Sequence, residues 1–261
     1  MGGGEVDFIV SAVTDVGICK KINQDRIFAE QAETPYGTLA FAVICDGMGG
    51  LEKGEIASST LVQTFSGWFE NFVRELWAPP IADCTIRKQW TAVVEQANAR
   101  ILEYSIGNGC KMGTTATAML LTKERYYLMN IGDTRAYEVI SYGIRQLTVD
   151  HTLVQQEVDK GNLTKEQAES APMNHVLTRC IGVEAEVYPD LFFGDTKKGA
   201  IYFLCSDGFR HRITEAEIIG QLCNSNTYPD MENRLEALTA LCKQRGETDN
   251  ISVIAVQCMD D

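Results

Sequence analysis

Apolar positions along the chain recur at two spacings, and the change from one to the other divides it into elements. From Phe8 to Thr14 the run FIVSAVT predicts a strand, the turn DVG follows, and RIFAE predicts a second strand. TLAFAVIC, Thr38 to Cys45, predicts a longer strand that runs straight into Asp46. The period then becomes helical. Ile56, Leu61, Phe65, Trp68, Phe69, Phe72 and Leu76 define one buried face, and APP at Ala78 to Pro80 ends that helix. Ile86, Trp90, Val93, Val94, Ala97, Ile101 and Tyr104 mark a second long helix, closed by Gly107-Asn108-Gly109. Two such helices in succession predict an antiparallel pair.

Strand character returns in TTATAMLLT and RYYLMNIGDTRAYEVIS, where a tight Ile131-Gly132-Asp133 connection and the following GIRQLTV predict an antiparallel meander. A polar stretch then holds two short helices. One covers Thr152 to Asp159, and the other is opened by a capping box of Thr164 and Gln167. AIYFLC and NISVIAVQC are the last clear strands. Between them lie a helix opened by Thr214 with Glu217 and another from about Met231 to Arg245, stopped by Gly246. No repeat, low-complexity tract or linker interrupts the pattern, so one α+β domain is expected over residues 1–261.

Composition narrows the partners. The chain carries 23 Lys+Arg against 36 Asp+Glu, a formal net charge of −13. Such an excess repels phosphate backbones and anionic lipid, which argues against nucleic acid and membrane unless bound cations reverse the local field. The nine Cys are scattered singly, without a CxxC pair or a Cys/His cluster. Neither a zinc site nor a disulfide framework is indicated, and reduced thiols are expected. The N-terminus MGGGEVDFIV has no basic region followed by a long apolar one, and Val6 stands where a myristoylation signal wants Ser or Thr. With no apolar run near the roughly 18 residues of a membrane span, the protein is expected to be soluble and cytoplasmic. The helix faces are accounted for by the core, so a monomer is expected.

Candidate chemistry lies at the strand ends. Asp46 follows LAFAVIC, Asp133 follows YYLMNIG, Asp207 follows IYFLCS, and Asp249 precedes NISVIAV. One such Asp would read as a turn residue. Four of them in the same context suggest carboxylates gathered at one edge of the core, where their repulsion calls for hard divalent cations. No His or Cys joins the set, so Mg²⁺ or Mn²⁺ is indicated rather than zinc. Gly47 lets the backbone approach a ligand, which makes its carbonyl a candidate metal ligand, and Gly49-Gly50 keep side chains from the opening. GMGGLEKG matches neither nucleotide-binding glycine pattern. Paired cations can activate a water and neutralise phosphoryl oxygens, so the residues by themselves point to metal-assisted phosphoester hydrolysis.

The motifs TDVGICKKINQD, AVICDGMGG, MGTTAT, NIGDTRAY, LTVDHTLV, VLTRCIG, FLCSDGF and TDNISVIAV, in this order, resemble those of metal-dependent Ser/Thr protein phosphatases of the 2C type, most closely the bacterial branch. The match runs from Phe8 to Gln257. It implies a four-layer sandwich, two central antiparallel β-sheets flanked by helices on both faces, with a core over residues 8–257 and a flap over residues 151–176. By position, Asp46 resembles the carboxylate bridging two metals, with the Gly47 carbonyl on the second and Asp207 and Asp249 on the first. Asp133 resembles the ligand that, with Asp207, holds a third, weaker ion. Asp25 resembles a carboxylate that orders metal-bound water. Asp25, Asp46, Asp207 and Asp249 are therefore the expected catalytic set.

Lys20 stands where many members carry a phosphate-binding Arg; it keeps the charge but loses the bidentate fork. Met48 replaces a His proposed as general acid in animal members, so the leaving-group proton is expected from water or another group; His151 and His175 are candidate donors, although a structural or surface role is the better reading of each. Gln24 removes one negative charge beside Asp25. Gly113 and Thr114 resemble structural residues packed under the site. The implied activity is hydrolysis of phosphoserine and phosphothreonine on proteins by metal-activated water attacking phosphorus directly. The implied partners are the substrates of a Ser/Thr kinase and the kinase itself. Two other readings stay open on the residues alone: a catalytically silent module that binds a phosphorylated partner, and a hydrolase of a small phosphorylated metabolite.

Overall fold

The computed structural model describes residues 8–48, 53–75, 81–140, 143–169, 171–223 and 227–259. Gly49-Gly50, Leu76 and the Ala78 to Pro80 break lie outside the described residues. In chain order the elements are β1 (Phe8–Asp15), β2 (Arg26–Thr34), β3 (Gly37–Cys45), α1 (Gly54–Glu75), α2 (Asp83–Asn108), β4 (Ala116–Leu121), β5 (Arg125–Ile131), β6 (Arg135–Ile140) and β7 (Gly143–Gln146). They continue with α3 (Leu153–Asp159), α4 (Lys165–Glu169), β8 (Asp190–Asp195), β9 (Ile201–Cys205), α5 (Asp207–Arg210), α6 (Glu215–Leu222), α7 (Tyr228–Gln244) and β10 (Ile251–Cys258).

Two five-stranded antiparallel sheets form the centre, ordered β1-β10-β9-β6-β7 and β2-β3-β4-β5-β8. The long apolar runs follow from burial on both faces. In β3, Phe41, Val43 and Cys45 face α1 and α2 in one core, while Ala40, Ala42 and Ile44 face the other sheet in a second. In β10, Val253 and Ala255 meet α5, α6 and α7, while Ile254 and Val256 enter the space between the sheets. Side chains alternate across a strand, so a strand covered on both sides must be apolar at nearly every position. The result is the expected four-layer sandwich, helices–sheet–sheet–helices.

The capping boxes form as expected. Thr214 Oγ1 accepts from the Glu217 N–H at 3.3 Å and the Glu217 carboxylate accepts from the Thr214 N–H at 2.9 Å. Thr164 and Gln167 make the same reciprocal pair. Gly109 ends α2 at φ 61°, a left-handed cap.

Three expectations need correction. The meander through Ile131-Gly132-Asp133 does not form: β5 pairs with β4 and β8, whereas β6 pairs with β9 and β7, so this connection crosses between sheets. Alternation reports burial and not partner, so a hairpin and a crossover leave the same trace. Gly132 lies at φ 101°, and a side chain there would meet Thr115 at 2.6 Å, so the turn is packed tightly beneath the start of β4. Secondly, β8 was not foreseen. It is an edge strand of half-buried residues bounded by Asp190 and Asp195, without the continuous apolar run of the inner strands. Thirdly, α7 begins at Tyr228, earlier than Met231, because Thr227 accepts from the Asp230 N–H and Pro229 occupies the first turn.

Strand register then decides where the aspartates go. Arg26 pairs with Cys45, Ala116 with Ile131, Arg135 with Cys205, Val253 with Cys205, and Asp15 with Ile251. Asp25, Asp46, Asp133, Asp207 and Asp249 each lie within two residues of one of these paired ends. All five therefore stand at one end of the sandwich.

Candidate active site

At this end the main chain is bound down and the carboxylates are left available. The Asp46 N–H donates to Thr115 Oγ1 at 3.0 Å, and its carbonyl accepts from Thr114 Oγ1 and the Thr115 N–H, each at 2.9 Å. The Gly47 N–H donates to the Gln24 carbonyl at 3.2 Å. A Cβ on Gly47 would lie 2.7 Å from that carbonyl and closer still to the carbonyl of Gly54, so only glycine lets the two segments meet.

Asp25 is 1% exposed, and neither of its carboxylate oxygens has a hydrogen-bond partner within bonding geometry. Burial pushes its carboxyl up to about 7; the hydroxyls of Ser252 and Ser206 offset this in part, and the charges of Asp207 and Asp249 add to it. Asp46 is driven well above the ordinary carboxylate value, first by burial and then by Asp25, Asp207, Asp133 and Asp249. Four other carboxylates thus stand near enough to Asp46 to repel its charge. Asp133, 6% exposed, is likewise raised to about 7 by burial and Asp207, with the Arg210 guanidinium 3.7 Å away pulling the other way.

Asp249 is anchored through its own backbone. Its N–H donates to Glu247 Oε1 at 3.0 Å, and its Oδ1 accepts from the Asn250 N–H at 2.8 Å. Lys20 Nζ lies 3.0 Å from the same Oδ1. Burial would lower the Lys20 ammonium, but Asp249, with Asp46 and Asp207 behind it, holds it above the ordinary lysine value. Asn250 fixes the loop that carries Lys20 and leads to Asp25: its Oδ1 accepts from the Gln24 N–H at 2.9 Å, and its Nδ2 donates to the carbonyls of Val16 at 2.9 Å and Ile22 at 3.2 Å.

Among the described residues no three His, Cys, Asp or Glu side chains converge into a ready-made metal cage. The set nevertheless fits a hard cation: its donors are all oxygen, two buried carboxylate oxygens of Asp25 make no hydrogen bond within bonding geometry, and the Gly47 backbone directly follows Asp46.

The candidate proton donors divide clearly. His151 is buried, with Nδ1 accepting from the Gly132 N–H at 3.0 Å and Nε2 against Asp190 at 3.1 Å, so both ring nitrogens are engaged in structure. His175 is exposed. The Met48 side chain packs onto Gly113, where a Cβ would overlap its terminal methyl, and Gly113 also meets the Ile181 carbonyl; Gly113 is therefore structural, as is Thr114. Sequence reasoning missed Arg210, Asn250 and Glu247. The signals were present in DGFR, which places Arg210 one helical turn after Asp207, and in TDN.

Comparison with known proteins follows the same lines. A model of the family described as protein phosphatase 2C matches residues 19–240. The chain is 29% identical over 250 residues to the serine/threonine phosphatase stp of Listeria monocytogenes, covering 94% of this chain and 93% of the relative. Its fold superposes on serine/threonine phosphatase Stp1 from Staphylococcus aureus with a TM-score of 0.82 at 26% identity, covering 100% of both chains. It also superposes on the catalytic domain of the serine threonine protein phosphatase PstP, solved in complex with two manganese ions, with a TM-score of 0.78 at 27% identity, covering 97% of this chain and 99% of that one.

Proposed function

The chain belongs to the protein phosphatase 2C family, and on that footing we infer that it hydrolyses phosphoserine and phosphothreonine on proteins with Mn²⁺ or Mg²⁺ as cofactor. The observation that carries the reading is the gathering of Asp25, Asp46, Asp133, Asp207 and Asp249 at one end of the sandwich. Asp46, the Gly47 carbonyl, Asp207 and Asp249 would hold two ions, and Asp133 with Asp207 a third, weaker one. When bound, the ions supply an activated water and neutralise the phosphoryl oxygens.

The chain's own residues do the rest. Asp25, buried beside Asp207 and Asp249, would order the attacking water. Lys20 turns its ammonium toward the aspartates and offers a point charge to the phosphate. Thr114, Thr115 and Asn250 keep the backbone of Asp46 and of the Lys20 loop rigid, so that little geometry has to be organised during reaction. With Met48 packed away and His151 engaged elsewhere, the leaving-group proton comes from solvent water.

A silent phosphate-binding module would be expected to have lost part of this set, and all five carboxylates are present. No helix among the described residues is long and apolar enough to cross a membrane. The chain acts as a cytoplasmic monomer on the substrates of a Ser/Thr kinase, and on the kinase itself. A Mn²⁺-dependent screen over phosphoserine, phosphothreonine and phosphotyrosine peptides tests the reading. Turnover on the first two that chelator removes is expected; preference for phosphotyrosine, or turnover indifferent to chelator, would overturn it.

A further inference from the structure

Glu247 is buried, 4% exposed, and lies two residues before Asp249 on the loop that joins α7 to β10. A carboxylate sealed from water is costly unless its oxygens are engaged. One oxygen serves the loop itself: Oε1 accepts from the Thr248 N–H at 2.8 Å and from the Asp249 N–H at 3.0 Å. The other faces a different segment. Oε2 stands 3.4 Å from Arg212 Nε and 3.8 Å from His211 Nδ1, on the turn that follows α5. Since α5 begins at Asp207, this one side chain bridges the two segments that carry the candidate ligands Asp207 and Asp249.

The surroundings fix where the carboxylate stands. The Glu247 N–H donates to the Cys242 carbonyl in α7 at 3.1 Å, and the Arg245 guanidinium donates to the Arg212 carbonyl. α5 and the loop are also in direct contact: a Cβ on Gly208 would overlap the Asn250 carbonyl and lie 3.4 Å from the Asp249 Cβ. An ordinary turn residue such as Asn or Ser could accept the same N–H groups, but it is too short to reach the turn after α5 as well. The ion pair with Arg212 answers the charge of Glu247, so what it presents to Asp249 is an acceptor held in one place.

We propose that Glu247 is a positioning residue for metal binding: held by the turn after α5, it fixes the backbone of Asp249 and so sets that carboxylate against Asp207 for a divalent cation. The inference rests on the metal-dependent reading above and goes further, by assigning the placement of one ligand pair to a side chain outside the aspartate set. Ligands that are held before the cation arrives need little rearrangement to bind it.

Calorimetric titration of the full chain with Mn²⁺, run beside kinetics on p-nitrophenyl phosphate, tests the role. Glu247→Ala should raise the Mn²⁺ dissociation constant by about 10-fold or more, while kcat at saturating Mn²⁺ stays within about threefold of the native value, because the ligands themselves are intact. Glu247→Gln keeps an oxygen for both N–H groups and should recover the affinity to within about threefold. Glu247→Met fills the same volume without an acceptor; it should weaken binding as Ala does, and it carries the test if the Ala variant does not fold. Thr214→Ala, which removes the cap of α6, should lower the melting temperature and leave the Mn²⁺ dissociation constant unchanged. A native dissociation constant in the Ala or Met variant, a Gln variant no better than either, or an equal loss in Thr214→Ala would overturn the positioning role alone. A native chain that binds no Mn²⁺ and turns over without it would overturn the metal-dependent reading and this role with it.

Discussion

Asp25 carries the sharpest conflict between burial and charge: a carboxylate 1% exposed among other carboxylates, eased in part by the hydroxyls of Ser252 and Ser206 but with no hydrogen bond within bonding geometry. An uncompensated buried charge is costly, and the group is tolerable because it can take up a proton or face a cation. Asp25→Asn keeps the shape and removes the charge. It should weaken Mn²⁺ binding or turnover by about 10–100-fold, as expected for a group that supports metal ligands from behind, with folding intact by circular dichroism. Asp46→Asn should instead abolish Mn²⁺-dependent turnover of p-nitrophenyl phosphate altogether. At Gly47 the constraint is steric. Gly47→Ala drives a methyl into the carbonyls of Gln24 and Gly54, and a loss of about 1–3 kcal/mol in denaturant unfolding is expected.

Among the elements, helix starts were the most legible features, because a cap is a local bargain between neighbours in sequence. Thr214 and Glu217 could be paired by spacing alone, and the helix that they open is α6. Thr214→Ala should cost about 1 kcal/mol and lower the melting temperature by about 2–4 °C, without changing the kinetics on p-nitrophenyl phosphate. Strand partners were not legible in the same way. The apolar alternation of RYYLMNI and RAYEVI correctly marks β5 and β6 as buried strands, yet nothing in it distinguishes a hairpin from a crossing between sheets. The half-buried edge strand β8 escaped because its pattern is that of a solvated segment.

For the whole molecule, the carboxylate end couples stability to pH and to cations. Asp25 and Asp133 have folded-state values of about 7 against an ordinary 3.8, raised mainly by burial. The folded state therefore binds their protons more tightly than the unfolded state does. That contribution is fully present below about pH 4 and is lost as pH rises through 7. Over the window between pH 5 and 7.5, the chelated protein should melt at progressively lower temperature from this cluster. Mn²⁺ should restore more stability at pH 7.5 than at pH 5, because protons compete for the same oxygens. Differential scanning calorimetry at both values, with and without metal, checks the sign; a larger metal effect at pH 5 would contradict it.

The amino-acid sequence by itself determined the chemistry available and the local elements. Carboxylates at strand ends, helix caps, apolar strands covered on both faces, and the ordered motifs that resemble 2C-type phosphatases could all be read from neighbours along the chain. Only the tertiary structure decided which strand ends meet, that Asp25 is sealed from solvent, that Lys20 turns onto Asp249, and that Arg210 stands beside Asp133. The division has a physical cause. Period and capping are set by contacts within a few residues, which composition and spacing record. Strand pairing, burial of a single charge and the anchoring of a loop depend on segments far apart in the chain, such as Gln24 with Asn250 and Arg135 with Cys205, whose meeting no local pattern encodes.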